Sequence, residues 1–488
     1  MRGLLAACAF LFLFVVSNAA AQSPSTSSVV ARSHRDVSSA NSAARAAFDD
    51  GLTLLYAFAP EAARASFARA ASADPAFALA WWGVAMSHGP NINTNYEPAE
   101  QRAGHEAMLK ARALATNASP VERALIDAAY RRFSFSGSND GDRSARTYRD
   151  AMEAAATTYA RDDDVQTLAA EAEMDVDPPT GNADTIKHLQ TVLARNTEHI
   201  GANHFLIHAF EDTPNASDAV PAARRLSALT FEPAAEHLAH MPAHAYMRAG
   251  LYHEAGVANE RAIALVGAAR AIDPNAPATY FDHDCDFGVK AFMMAGEYAR
   301  ARALTGPCAH NGHSLASTVD LRFHRWNELA ADERGEVASG MLAVHQGNLP
   351  LAKTHLAALR KTQGGVAAVA AGVLNAAIAR ASGDPADEIR ALEAAVAAQD
   401  ALGYSEPPAF WYPVREALGG AYYRAGRFAD AERTFRADLT HDARNPRAYF
   451  GLAETLEREQ RPAAAAAMHA EFERAWQHAD ATLEINDL

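Results

Sequence analysis

From Ala43 onward, apolar residues recur every three to four positions, the spacing of one buried helical face. Alanine is abundant at these positions and β-branched residues are sparse, so the pattern predicts helix rather than sheet. A longer period overlies the short one. Counting Ala44 as the first position of a 34-residue unit places Gly51 at position 8, Ala63 at 20, Phe67 at 24, Ala70 at 27 and Pro75 at 32. Small residues at such positions let two helices approach closely, and the proline stops the second one. Trp81 falls at position 4 of the next unit, where a large anchor is expected.

The same grammar returns at Tyr246, Gly250, Tyr252, Ala255 and Ala262, then at Gly296, Tyr298 and Ala301. It is clearest at Leu418, Gly419, Tyr422, Gly426, Phe428, Ala431 and Phe435. Weaker copies surround Gly347-Asn348 and Gly383-Asp384, and a last one runs from Ala448 to about His478. This is the signature of tetratricopeptide-type (TPR) helix pairs. The predicted fold is therefore all-α, a TPR-like superhelix built of antiparallel helix pairs. Irregular spacing predicts insertions around residues 90–145 and 176–186, with a loop at Asp177-Pro178-Pro179-Thr180-Gly181.

The first residues break this pattern. Arg2, an apolar run from Leu4 to Val16 and Ala19-Ala20-Ala21 read as a signal peptide over residues 1–21. Too few residues precede Cys8 for it to serve as a lipidated cysteine, and the apolar run is too short for a comfortable span. Residues 22–42 are rich in Ser, Thr and Ala and read as a flexible tether. Residues 43–330 then form a first helical array and residues 331–480 a second. The expected location is periplasmic or secreted, with no membrane span in the mature chain. An oxidising compartment favours a disulfide between Cys285 and Cys308, which the repeat frame places near one end of a single helical hairpin.

Charge narrows the partners. With 59 Asp and Glu against 44 Lys and Arg, the net charge is −15, which disfavours nucleic acid and anionic lipid. No Gly-rich phosphate loop, GxSxG elbow or HExxH motif is present. The unusual chemistry lies in the histidines, of which the chain has 20. His199 precedes His204 and His208, followed by Glu211; His237, His240 and His244 follow, then Tyr280, His283 and Asp286. Spacings of three, four and seven put each set on one helix face. With Gly250 at position 15, His237, His240 and His244 take positions 2, 5 and 9 of a first helix; with Gly296 at position 15, His283 and Asp286 take positions 2 and 5 of the next. Three successive helices thus aim imidazole and carboxylate at one patch of a concave groove. The candidate metal ligands are His204, His208, His237, His240, His244, His283 and Asp286. Glu171 and Asp175, one turn apart, together with His88, Asn91 and Asn93, are expected to line the groove. Imidazole with carboxylate suits zinc, copper or non-haem iron, and equally suits acid–base chemistry. Hydrogen bonds that fix helix register are the competing explanation for any single histidine.

At these residues the chain resembles a large bacterial family of TPR proteins, mostly exported and largely without assigned activity. The likeness rests on Trp82-Gly83-Val84-Ala85-Met86 with Gly89-Pro90-Asn91-Ile92-Asn93, and on Ala170-Glu171-Ala172-Glu173-Met174-Asp175. Its most specific strings are His199-Ile200-Gly201-Ala202-Asn203-His204 with Ile207-His208-Ala209, and His237-Leu238-Ala239-His240-Met241-Pro242-Ala243-His244. The resemblance implies the fold, export, and a shared role for His204, His208, His240 and His244. It also implies two departures: Asp286 stands where such proteins carry a second histidine, and Glu173 replaces an apolar residue. Two functions follow from the sequence. One is an exported scaffold taking a protein or peptide in its groove; the other is a metal-binding protein or metalloenzyme.

Overall fold

A computed structural model describes residues 30–95, 97–134, 141–176, 181–308, 315–329 and 335–488. The leader expected at 1–21, the start of the expected tether, and Asp177 to Thr180 of the expected loop lie outside the described residues. Among the described residues the regular elements are helices, and none is long and apolar enough to cross a membrane.

Helices follow one another as antiparallel neighbours in contact: Ser42–Tyr56 with Pro60–Ala73, Ala78–Met86 with Pro98–Leu114, Gly365–Ala381 with Pro385–Asp400, and Pro446–Arg458 with Pro462–Ala475. The fold is an all-α, TPR-like solenoid. Its repeat glycines have a measurable reason. A Cβ on Gly51 would sit 2.7 Å from the Phe67 ring and one on Gly83 2.3 Å from it, so two glycines of successive units clamp one phenylalanine. Gly419 and Gly451 clamp Phe435 in the same way, at 2.5 and 2.3 Å. The buried tryptophan beside the first clamp is Trp82; Trp81 is only half-buried, under the Lys110 ammonium.

The insertion expected around 90–145 is carried in part by residues 87–97, a long connection between Ala78–Met86 and Pro98–Leu114; Pro98–Leu114 still pairs with the helix before it, and Pro120–Arg132 and Gly141–Thr158 continue the array. Around 176–186, the helix Ala183–Leu193 begins soon after Asp163–Met174 ends and packs on it. The tether does not extend to residue 42. Val30 bridges Thr230, and the Arg35 guanidinium is buried against Asp162 and Asp164, both at 2.8 Å. Asp164 also accepts from the Tyr56 hydroxyl at 2.7 Å, so residues 30–41 lock the first helix to the fourth pair. Composition hid this because the contacts that order the segment are polar and distant in sequence: besides Arg35, Ser33 N donates to Thr53 Oγ1 at 2.7 Å and Ser38 N to Glu122 at 2.8 Å.

The array curls back on itself. Ser42–Tyr56 touches Ile200–Glu211, and the Tyr252 hydroxyl donates to the Ala443 carbonyl at 2.8 Å across 191 residues. The apolar core divides accordingly: one cluster spans Ala44 to Ala295, a second Ile263 to Val319, and a third Ala343 to Leu488. The third cluster reaches past residue 480 and takes in Leu483, Ile485 and Leu488. Cys285 and Cys308 are joined by a disulfide with Cα atoms 5.6 Å apart, closing a 23-residue separation. A loop of that length is worth about 3 kcal/mol in the chain-entropy picture.

Candidate metal centre

Six imidazoles meet where the helices Ile200–Glu211, Glu236–His240, Pro242–Arg248 and Phe281–Ala295 converge. Pro242 breaks what the spacing reads as one helix, since it lacks an N–H and starts the second segment. His240 and His244 still share a face across the break, and their Nε2 atoms lie 2.8 Å apart. His283 Nε2 comes within 3.1 Å of His240 Nε2. A tetrahedral ion with Zn–N bonds of about 2.0–2.1 Å spaces its ligand nitrogens by roughly 3.3 Å. His240 Nε2 thus stands from each of the other two at nearly the separation an ion imposes, and one ring nitrogen from each of the three lies within 4.8 Å of the others.

Their outer nitrogens set the tautomers. Asn259 Nδ2 donates to the Ala255 carbonyl at 2.9 Å, so its Oδ1 faces His240 Nδ1 at 2.6 Å and accepts from it. Glu406 Oε2 lies 2.9 Å from His244 Nδ1, and Glu211 Oε2 3.5 Å from the same atom. Both imidazoles therefore place N–H outward and a lone pair inward, the carboxylate–histidine arrangement that orients metal ligands. Without a metal, a 2.8 Å contact between two such nitrogens requires a proton on one of them. Burial lowers His244, but Glu406 and Glu211 outweigh it and hold its imidazole above the usual range. Burial and the charge on His244 drive His240 well below that range. Burial, aided by His244, lowers His283 to about 4.

The other three histidines adjoin this trio. His204 Nδ1 donates to the Tyr56 carbonyl at 2.6 Å, and His208 Nδ1 faces Glu211 at 3.1 Å. Their Nε2 atoms, and both ring nitrogens of His237, are buried with no hydrogen-bond partner among the described residues. His237 stacks on Tyr280 with ring centroids 4.1 Å apart.

The structure sorts the remaining candidates differently. Asp286 is not with the histidines; it pairs with Lys290 Nζ at 2.7 Å. Lys290, one turn onward, is the signal in the sequence that Asp286 is neutralised locally. Asp284 takes the inward place: its Oδ1 is 3.1 Å from His240 Nδ1, but that N–H points to Asn259 and neither Asp284 oxygen is hydrogen-bonded. Burial raises its carboxyl well above the ordinary range. Glu171 and Asp175, expected to line the groove, both grip the Arg132 guanidinium, at 3.0 and 2.6 Å. Glu171 and Asn91 line a small cavity of about 30 Å³ beside Phe58 and Phe205. His88 pairs with Glu100 at 2.6 Å, and Asn93 with Asn91 forms a short turn. His199 caps its helix, accepting from Ala202 N at 3.1 Å. Glu406 was invisible in sequence reading. It arrives 162 residues downstream on the segment 401–413, which also places Pro408 O 2.8 Å from Lys290 Nζ.

Two open spaces flank this segment. One of about 390 Å³ is lined by Tyr404, Glu406, Trp411, Arg248 and Tyr252. A larger groove of about 1140 Å³ runs between the Phe281–Ala295 helix and the Gly335–Ala370 region, bounded by Phe410 and Trp411.

No protein-family model matches the sequence, and no curated protein matches it. Solved structures that match the chain include the TPR domain of P58(IPK), at 12% identity over 86% of this chain and 98% of that one, TM-score 0.23. The Cut9–Hcn1 hetero-tetramer of the APC/C matches at 12% identity over 91% and 95%, TM-score 0.28. Yeast Tom70 matches at 8% identity over 85% and 82%, TM-score 0.23.

Proposed function

We propose that the protein is an exported helical solenoid that binds a transition-metal ion through His240, His244 and His283. The observation that carries this reading is the convergence of three imidazoles, with the outer nitrogens of His240 and His244 tied to Asn259 and to Glu406. Burying such imidazoles face to face is unfavourable unless something positive lies between them. Imidazole donors suit zinc, copper and iron alike. The leader read at residues 1–21 and the Cys285–Cys308 disulfide support an oxidising, extracytoplasmic location. Elemental analysis of protein purified without an affinity tag tests the proposal. At least one transition-metal ion per chain is expected, reduced by one in His240→Ala/His244→Ala. Metal-free wild-type protein that stays metal-free after incubation with ZnCl2 would overturn it.

A second reading concerns the groove, and the exposed Val366 at its wall favours it. A concave apolar surface of this kind suits a protein or peptide partner. Affinity purification at native expression from the exported fraction is expected to recover a partner with wild type and lose it with Val366→Asp. Recovery of the same proteins with both, or of none, counts against the groove as a docking surface.

A further inference from the structure

The three histidines beside the proposed ion are not explained by it. His204, His208 and His237 are 0, 2 and 2% exposed, yet each presents ring nitrogen with no partner among the described residues. A buried polar atom left unpaired loses the hydrogen bond it had to water with nothing in return. Three such residues side by side form a systematic feature, too consistent to be a packing accident.

Their geometry is that of a second ligand set. One nitrogen from each lies within 4.8 Å of one from each of the others. Donation from His204 Nδ1 to the Tyr56 carbonyl leaves the His204 Nε2 lone pair free and inward. Glu211 does the same for His208 by accepting from Nδ1. His204 and His208 are one helical turn apart on Ile200–Glu211, so their Nε2 atoms lean to the same side. His237 faces them from the next hairpin, its ring centroid 5.1 Å from that of His204 and 6.1 Å from that of His208.

The surroundings are built around this trio. Phe58 packs against all three rings, with centroids 4.6, 5.8 and 5.6 Å from His204, His208 and His237. It does so from a left-handed backbone conformation, φ 53°, which a non-glycine residue adopts only at a cost. Tyr280 closes the side of His237. Glu211 and Glu406 border the imidazoles, while Lys290 is committed to Asp286 and the Pro408 carbonyl.

We infer that His204, His208 and His237 bind a second transition-metal ion, so that the six histidines form one buried two-ion centre. This rests on the reading that His240, His244 and His283 bind the first. The two trios touch: His237 lies 5.7 Å from His240 and His208 6.2 Å from His244, centroid to centroid. Glu211 reaches both, at 3.1 Å from His208 Nδ1 and 3.5 Å from His244 Nδ1, and ties the orientation of one ligand set to that of the other. Three neutral nitrogens per ion, with no thiolate and no inner carboxylate, select Zn²⁺ or copper over Mg²⁺ or Ca²⁺.

Full-length protein stripped with chelator, incubated with ZnCl2 and dialysed supplies the test, read as zinc per chain. Two ions are expected in wild type. One is expected in His204→Ala/His208→Ala, and one in His240→Ala/His244→Ala. His237→Phe keeps the ring volume and the stack on Tyr280, so it should fold and also bind one; circular dichroism checks that each variant is helical. One ion in wild type, lost only with His240→Ala/His244→Ala, overturns the second site and leaves the first standing. Two ions retained by both His204→Ala/His208→Ala and His237→Phe overturn the assignment to these residues. No zinc in wild type removes both sites together.

Discussion

Arg132→Met is expected to destabilise the protein by about 3–5 kcal/mol, the loss typical of removing one partner from a buried charge group. Arg132 is wholly buried and its guanidinium holds three acceptors: Glu171 at 3.0 Å, Asp175 at 2.6 Å and the Pro90 carbonyl at 2.6 Å. Its face also lies 4.6 Å from the Tyr148 ring. Methionine fills much of the stem's volume, so the loss is electrostatic: two buried carboxylates remain without a cation, with only the Tyr148 hydroxyl among the described residues, 3.4 Å from Glu171, still donating. Adding Glu171→Gln and Asp175→Asn to Arg132→Met should recover a large part of the stability, because it removes the stranded charges rather than restoring the pair. Urea unfolding followed by circular dichroism measures both. A loss below about 1 kcal/mol for the single variant, the scale of an exposed pair, would show that the guanidinium is not the centre of this packing.

The same residues show why parts of the site were legible and parts were not. Glu171 and Asp175 are one turn apart, and in sequence that is indistinguishable from a pair of metal ligands. Only the fold brings Arg132, 39 residues earlier, between them. The histidine trios were legible because their spacing is local: His204 with His208, and His240 with His244, are set by helix pitch alone. That two trios form, rather than one patch, depends on how the Glu236–His240 and Pro242–Arg248 segments turn at Pro242. Asp284 and Asp286 lie two residues apart on one helix, so they point to different sides, and the choice between them was decided by Lys290. Glu406 belongs to a segment with no helical period, and nothing local announces that it reaches His244. The repeat frame survived because Gly51, Gly83, Gly419 and Gly451 answer to the size of Phe67 and Phe435, a steric demand that irregular spacing does not erase. Arg35 lacked any such marker, which is why an ordered segment read as tether.

Asn259→Leu is expected to weaken zinc binding at His240, His244 and His283 by about 10–100-fold, the usual effect of losing an outer partner of a ligating histidine. Asn259 is fully buried, and its side-chain amide is oriented by the Ala255 carbonyl so that the oxygen must face His240. Leucine of similar size removes that acceptor. His240 Nδ1–H then has only Asp284 Oδ1, at 3.1 Å, as an alternative, and the imidazole is free to place its proton on Nε2, where the ion must bind. Asn259→Asp keeps an acceptor at the same atom and should stay within a few-fold of wild type. Competition with a chromophoric chelator gives both affinities. The informative comparison is between the two trios within one protein: a positioning role for Asn259 weakens the His240 set and spares His204, His208 and His237, whereas general loosening of the fold weakens both alike. Equal loss at both, or none at either in a folded Asn259→Leu protein, would mean that the tautomer of His240 is set by something other than this hydrogen bond.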